Sequence, residues 1–116
     1  MSQRTRSAAV KWRRQAPIFA ALGDETRLAL IAKLSQGDRH SIADLTEGTR
    51  LTRQGVTKHL RVLQKARLVR SVKHGRESLF ELDPAPLREV RDYADVVSES
   101  WDRALARLRA FVEEDG

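Results

Sequence analysis

Between Arg50 and Arg76 the chain carries Arg50, Arg53, Lys58, Arg61, Lys65, Arg67, Arg70, Lys73 and Arg76 without an Asp or Glu among them. Charge of one sign at this density is the footprint of a protein that neutralises a polyanion, and double-stranded DNA is the partner it predicts. Inside this stretch, Thr52, Arg53, Gln54, Thr57, Lys58, His59 and Arg61 cluster on or beside one side of a helical pattern. Arg and Gln can address guanine and adenine edges with paired hydrogen bonds, while the remaining side chains suit phosphates and single base contacts. Farther along, Lys73, His74, Gly75 and Arg76 form a second basic group. No paired acid and base, nucleophile cluster or phosphate-cradling loop stands out, so neither enzymatic activity nor a cofactor is expected.

The elements that would hold these residues follow from periodicity and caps. Val56, Leu60 and Leu63 recur at i, i+4 and i+7, which buries one face of a helix capped by Thr52 and turns the basic face outward. Ahead of it, Ser41 caps a shorter helix with Asp44 in the capping-box place and Ile42 and Leu45 facing inward. Two short helices joined by the turn Gly48-Thr49-Arg50-Leu51 read as a helix-turn-helix, whose second helix enters the major groove. Leu68–Val72 and Ser78–Leu82 alternate as strands around Lys73-His74-Gly75-Arg76, a hairpin whose tip makes a wing.

Two further helices come earlier. One is expected from about Val10 to Leu22 on the spacing of Trp12, Ala16, Phe19 and Leu22, with Pro17 marking a kink or a later start. The other starts at the N-cap Asp24, buries Leu28, Leu30, Ile31 and Leu34, and closes with Gly37 as C′. A last helix begins at Asp83-Pro84 and carries Leu87, Val90, Ala94, Val97, Trp101, Ala104, Leu108 and Phe111 by threes and fours, widened by Leu105 and Val112. The fold class is therefore mainly α with a small β-hairpin: a winged helix-turn-helix of about five helices plus a two-stranded wing.

At 116 residues the chain is expected to be one domain. Residues 1–9 read as a basic, flexible arm, and residues 10–116 as the DNA-binding and dimerisation domain. The long apolar seam outruns so small a domain. A homodimer is its expected cover, with Trp12, Phe19, Leu87, Val90, Ala94, Val97, Trp101, Leu105, Leu108 and Phe111 at the interface. The net charge of +6 is unevenly spread, because Glu81, Asp83, Glu89, Asp92, Asp95, Glu99, Asp102, Glu113, Glu114 and Asp115 make the last third acidic. The absence of cysteine excludes disulfides and thiolate metal sites. No apolar run approaches a membrane span, so a cytoplasmic protein without a membrane partner is expected.

Phe19-x-x-Leu22-Gly23-Asp24-x-Thr26-Arg27, Thr57-Lys58-His59-Leu60-x-x-Leu63, Leu68-Val69, Gly75-Arg76 and Leu82-Asp83-Pro84, in that order and spacing, resemble the ArsR/SmtB family of bacterial winged-helix regulators. The resemblance covers about residues 16–112. It implies a dimer built on the first and last helices that binds a palindromic operator and usually represses transcription, nucleoid-associated while bound. Two positions depart from the family pattern. Arg67 stands where Gly is common, and a left-handed backbone there would cost an Arg roughly 1–2 kcal/mol. Ser41 and Ala43 occupy the places of the metal-sensing Cys pair, the last helix has no His, and His40, His59 and His74 are expected far apart. Asp92, Asp95, Glu99 and Asp102 form a solvated stripe opposite the apolar seam. Metal sensing is thus not expected. Two alternatives stay open: an architectural protein that binds DNA without sequence preference, and a repressor released by an unidentified small molecule lodged near Trp12, Trp101 or Phe111.

Overall fold

A computed structural model describes the backbone of residues 3–115 and the side chains of residues 12–114. Seven elements follow one another: α1 (Gln3–Leu22), α2 (Glu25–Leu34), α3 (Ile42–Thr46), α4 (Arg53–Lys65), β1 (Val69–His74), β2 (Glu77–Leu82) and α5 (Ala85–Asp115). The core is built where α2, α3, α4 and the wing base meet the end of α1. Leu34, Leu45, Val56, Leu60, Leu63 and Leu68 are fully buried there, joined by Ile18, Ala21, Ile31 and Phe80. Each such aliphatic side chain contributes about 1.5–3 kcal/mol relative to exposure. The three buried residues of α4 are Val56, Leu60 and Leu63, as its periodicity predicts.

Local side chains start the short helices. Asp24 Oδ2 accepts from the Arg27 amide at 3.0 Å and opens α2. Ser41 and Asp44 form the reciprocal capping box of α3, at 3.1 and 3.2 Å, and Thr52 Oγ1 accepts from the Gly55 amide at 3.1 Å to open α4. Asp83 Oδ1 accepts from the Ala85 amide at 3.0 Å where α5 begins.

Four expectations need correction. α1 starts at Gln3 rather than near Val10 and runs through Pro17 as one helix. The proline ring sits on the exposed side, and the cost of its missing N–H is offset by the packing of the opposite face on α5. The expected boundary at residue 10 therefore falls within a helix; the arm's side chains lie outside the described residues. Leu28, expected in the core, is 51% exposed, because only Leu30, Ile31 and Leu34 of α2 face inward. Gly37 (φ 91°) falls one position past C′, since Ser35 caps α2 by donating its amide to the Ile31 carbonyl. Finally, both strands extend closer to the tip than the alternation suggested. His74 pairs with Glu77, which leaves Gly75-Arg76 as a two-residue turn, and the positive φ of 64° at Gly75 is what such a tight turn needs at its first position.

The wing is not an isolated ribbon. His40, in the link between α2 and α3, forms an antiparallel bridge with Phe80, its amide donating to the Phe80 carbonyl at 3.0 Å and the Phe80 amide returning a bond at 2.8 Å. Glu81 reinforces the junction by accepting from Arg39 Nε at 3.0 Å and from Arg70 Nε at 2.8 Å. This holds the wing base against the helices.

α5 is the outlier in length. Its 31 residues span about 46 Å at ~1.5 Å per residue, and the molecule measures 68 × 30 × 21 Å. Leu87 and Val90, near its start, pack against the core, and Tyr93 receives Trp12 and Phe19 edge-on at 4.8 and 5.1 Å between ring centroids. Beyond Val97, the seam residues Trp101, Leu105, Leu108, Phe111 and Val112 are exposed.

Candidate nucleic-acid interface

Burying Val56, Leu60 and Leu63 fixes which side of α4 meets solvent. Arg53, Gln54, Lys58 and Arg61 are all exposed on it, and Thr57 is half-buried at its margin. None of the four long side chains makes a salt bridge among the described residues. They extend into water from a rigid helix with their donors unspent. Arg53 and Gln54 belong to the first turn, where partial positive charge from unpaired amides adds to that of Arg53.

Three members of the predicted set are already engaged. Thr57 Oγ1 donates to the Arg53 carbonyl at 2.7 Å, so its hydroxyl proton is committed and only its acceptor lone pairs and methyl group stay available. Thr52 Oγ1 is likewise occupied as the helix cap. His59 turns partly inward: its side chain is 24% exposed, and Nδ1 lies 3.2 Å from Arg27 Nη1.

In the wing, Lys73, His74, Gly75 and Arg76 are exposed. Arg70, on the same strand, differs from Lys73 because Glu81 binds its Nε at 2.8 Å and Asp83 stands 4.0 Å from its Nη1. Among the described residues, the acid-free stretch thus divides into cations tied to the wing base and cations without an acidic partner at its tip and on α4. Hydrogen bonds from Arg39 and then Arg70 hold the Glu81 carboxyl below the usual carboxylate range. Asp24 is lowered similarly, first by the Arg27 amide that it caps.

Sequence periodicity did not reveal Arg27, Glu81 or Tyr93 as organising residues. Arg27 and Glu81 act across 32 and 42 residues of chain, on His59 and Arg39, and such polar contacts carry no repeat. Tyr93 lies at a helical spacing from Val90 and Val97 and was legible only as one more residue of the last helix.

A family model of helix-turn-helix domains matches residues 22–72, the span from the end of α1 into β1. The HTH-type transcriptional regulator Rv2034 of Mycobacterium tuberculosis is 32% identical over 98 residues, 84% of this chain and 88% of that protein. A solved ArsR-like transcriptional regulator from Rhodococcus sp. RHA1 is 34% identical, with a TM-score of 0.74 and coverage of 87% of this chain and 94% of that one. The chain belongs to the ArsR-like family of winged helix-turn-helix transcriptional regulators. It is a DNA-binding regulator of transcription and not an enzyme. A more distant fold likeness, at 22% identity and a TM-score of 0.60, is the homodimeric winged helix-turn-helix DNA-binding domain Mb0332 of Mycobacterium bovis, which covers 90% of this chain and 91% of its own. In this ArsR-like chain the matched region contains the whole of α4, while α5 lies outside it.

Proposed function

We propose that this regulator is a homodimeric repressor that reads a palindromic operator with α4 in successive major grooves and the wing on the flanking backbone, without sensing metal. One observation carries the reading: α4 has one face fully buried and the other lined with Arg53, Gln54, Lys58 and Arg61, none of them in a salt bridge among the described residues. A helix held from behind with free donors in front is suited to base edges. Lys73 and Arg76 at the wing tip supply phosphate contacts. The homodimer is supported by the open apolar half of α5 and by the homodimeric state of the fold relative from Mycobacterium bovis.

The metal-independent part rests on chemistry. The chain has no cysteine, and the described residues contain no group of three or more His, Asp or Glu that could hold an ion. Operator affinity is therefore expected to be indifferent to zinc, cadmium, copper or arsenite at micromolar levels. A stoichiometric metal isotherm that releases DNA would refute this.

The decisive test is selection of duplexes from a random-sequence pool, followed by titration of the selected duplex against an unrelated one of equal length. A selected palindrome bound about 10³-fold or more tightly supports the reading. Equal affinities would instead make this an architectural DNA-binding protein. Repression is tested by a reporter driven from a promoter that carries the selected site.

A further inference from the structure

Arg27 joins three helices, its backbone in α2 and its guanidinium on α1 and α4. Its Nε donates to the Ala21 carbonyl at 2.6 Å, and Nη2 to the Ala20 carbonyl at 3.4 Å, which also accepts from the Gly23 amide, so the guanidinium helps close the last turn of α1. Its own backbone belongs to the first turn of α2. The remaining arm, Nη1, lies 3.2 Å from His59 Nδ1 in the middle of α4. A guanidinium has only donors, so this contact is a hydrogen bond only when Nδ1 is bare and the imidazole proton sits on Nε2. Asp24 Oδ2, at 3.7 Å from the same nitrogen, is too distant for a hydrogen bond and already accepts from the Arg27 amide. An Asp24–His59 ion pair would require a proton on Nδ1, directed at the guanidinium. The shorter contact favours the tautomer with the proton on Nε2.

We propose that His59 is a positioning residue of the DNA-reading helix, acting through Nδ1 on Arg27 rather than by touching DNA. The inference rests on the reading of α4 given above. Val56, Leu60 and Leu63 anchor that helix by apolar contact, which is non-directional and tolerates small rotations or slides. Base recognition does not tolerate them, because a hydrogen bond weakens steeply once distance or angle departs from its narrow range. The Arg27–His59 contact is directional, and its other end is fixed to α1, the helix that packs along α5. It therefore sets the rotation of Arg53 and Gln54 relative to the rest of the molecule.

Two measurements test this. In the first, which needs no DNA, ¹⁵N NMR of the free protein at neutral pH should show His59 protonated at Nε2 and bare at Nδ1. A ring protonated at Nδ1 overturns the proposal. In the second, wild type, His59→Asn, His59→Gln and His59→Leu are titrated with the duplex selected by the wild type and with an unrelated duplex. The Asn side-chain oxygen falls near the place of Nδ1, whereas the Gln amide reaches the place of Nε2. His59→Asn should keep the selected-to-unrelated affinity ratio within about threefold, while His59→Gln and His59→Leu lose roughly tenfold of it and bind unrelated DNA as before. The reverse order would make His59 a DNA contact through Nε2. Equal weakening on both duplexes, with a lower unfolding midpoint in all three variants, would reduce it to packing. If the wild type prefers no sequence, the DNA-reading function itself fails, and the nitrogen spectrum still decides the contact.

Discussion

The amide of Leu68 donates to the carbonyl of Leu63 at 3.0 Å, closing the end of α4 across Arg67, whose φ is 64°. With the Arg67 amide on the Gln64 carbonyl, also at 3.0 Å, this is a Schellman closure that has an arginine where glycine is usual. The left-handed conformation costs an L-residue roughly 1–2 kcal/mol, and glycine gives back part of that through its greater freedom when unfolded. Arg67→Gly should therefore raise stability by about 0.5–1 kcal/mol, measured by urea unfolding with an unchanged slope. A destabilised variant would show that the Arg67 side chain contributes more than its backbone costs.

Free and committed donors on the DNA-facing side should behave differently. Arg53→Ala and Gln54→Ala should each relax preference at particular operator positions and cost ~1–3 kcal/mol. Thr57→Val keeps the methyl group and removes a hydroxyl whose proton is already spent on Arg53, so it should cost less than either. Lys73→Ala should weaken binding on every sequence and flatten the salt slope by about 1. Arg70→Ala, which removes a cation tied to Glu81, should leave the slope closer to that of the wild type. Unaltered sequence preference in both the Arg53 and Gln54 variants would place the reading surface elsewhere.

Acid should loosen the joints before it affects the core. Asp24 and Glu81 both have folded-state values below their ordinary ones, Asp24 chiefly through the Arg27 amide and Glu81 through Arg39 and then Arg70. A depressed carboxyl contributes stability that is fully present above its unfolded value and lost as pH falls through the folded one. Stability should thus be flat in these groups from neutral pH down to about 5 and decline below about 4. Glu81→Gln should be less stable at neutral pH yet lose less on acidification, as followed by thermal unfolding between pH 7 and 3. A parallel acid loss in both proteins would exclude Glu81 as a source.

Much of this architecture was legible because it is written locally. The Ser41–Asp44 box, the Thr52 cap and the buried Val56, Leu60 and Leu63 each depend on residues three or four apart, and the wing turn on Gly75 alone. What escaped was settled by distant partners. Pro17 suggested a kink or a later start, but α1 begins at Gln3 and runs through it, packed against α5. Leu28 looked like core, yet the buried face of α2 is Leu30, Ile31 and Leu34, and Leu28 meets water. The His40–Phe80 bridge and the Arg27–His59 contact join segments with no shared periodicity. The basic face of α4 was readable in outline, while the engagement of Thr57 and His59 required coordinates.

The seam on α5 divides between a part that its own domain covers and a part left exposed. Trp12, Phe19, Leu87 and Val90 have partners within the chain, whereas Trp101, Leu105, Leu108, Phe111 and Val112 are 55–63% exposed on one helix. An apolar stripe of this kind at helical spacing marks an interaction surface. If two copies pair there, their α4 helices can be held about 34–36 Å apart, the interval between successive major grooves on one face of DNA. Trp101→Asp or Leu108→Asp would bury an unpaired charge at the contact. Because both side chains lie away from the domain core, the variants should keep their helix-turn-helix and the circular dichroism of the folded monomer. They should sediment as monomers and lose most affinity for a full palindrome, approaching the affinity of a single half-site. A wild type that sediments as a monomer yet binds the palindrome tightly would refute pairing through α5.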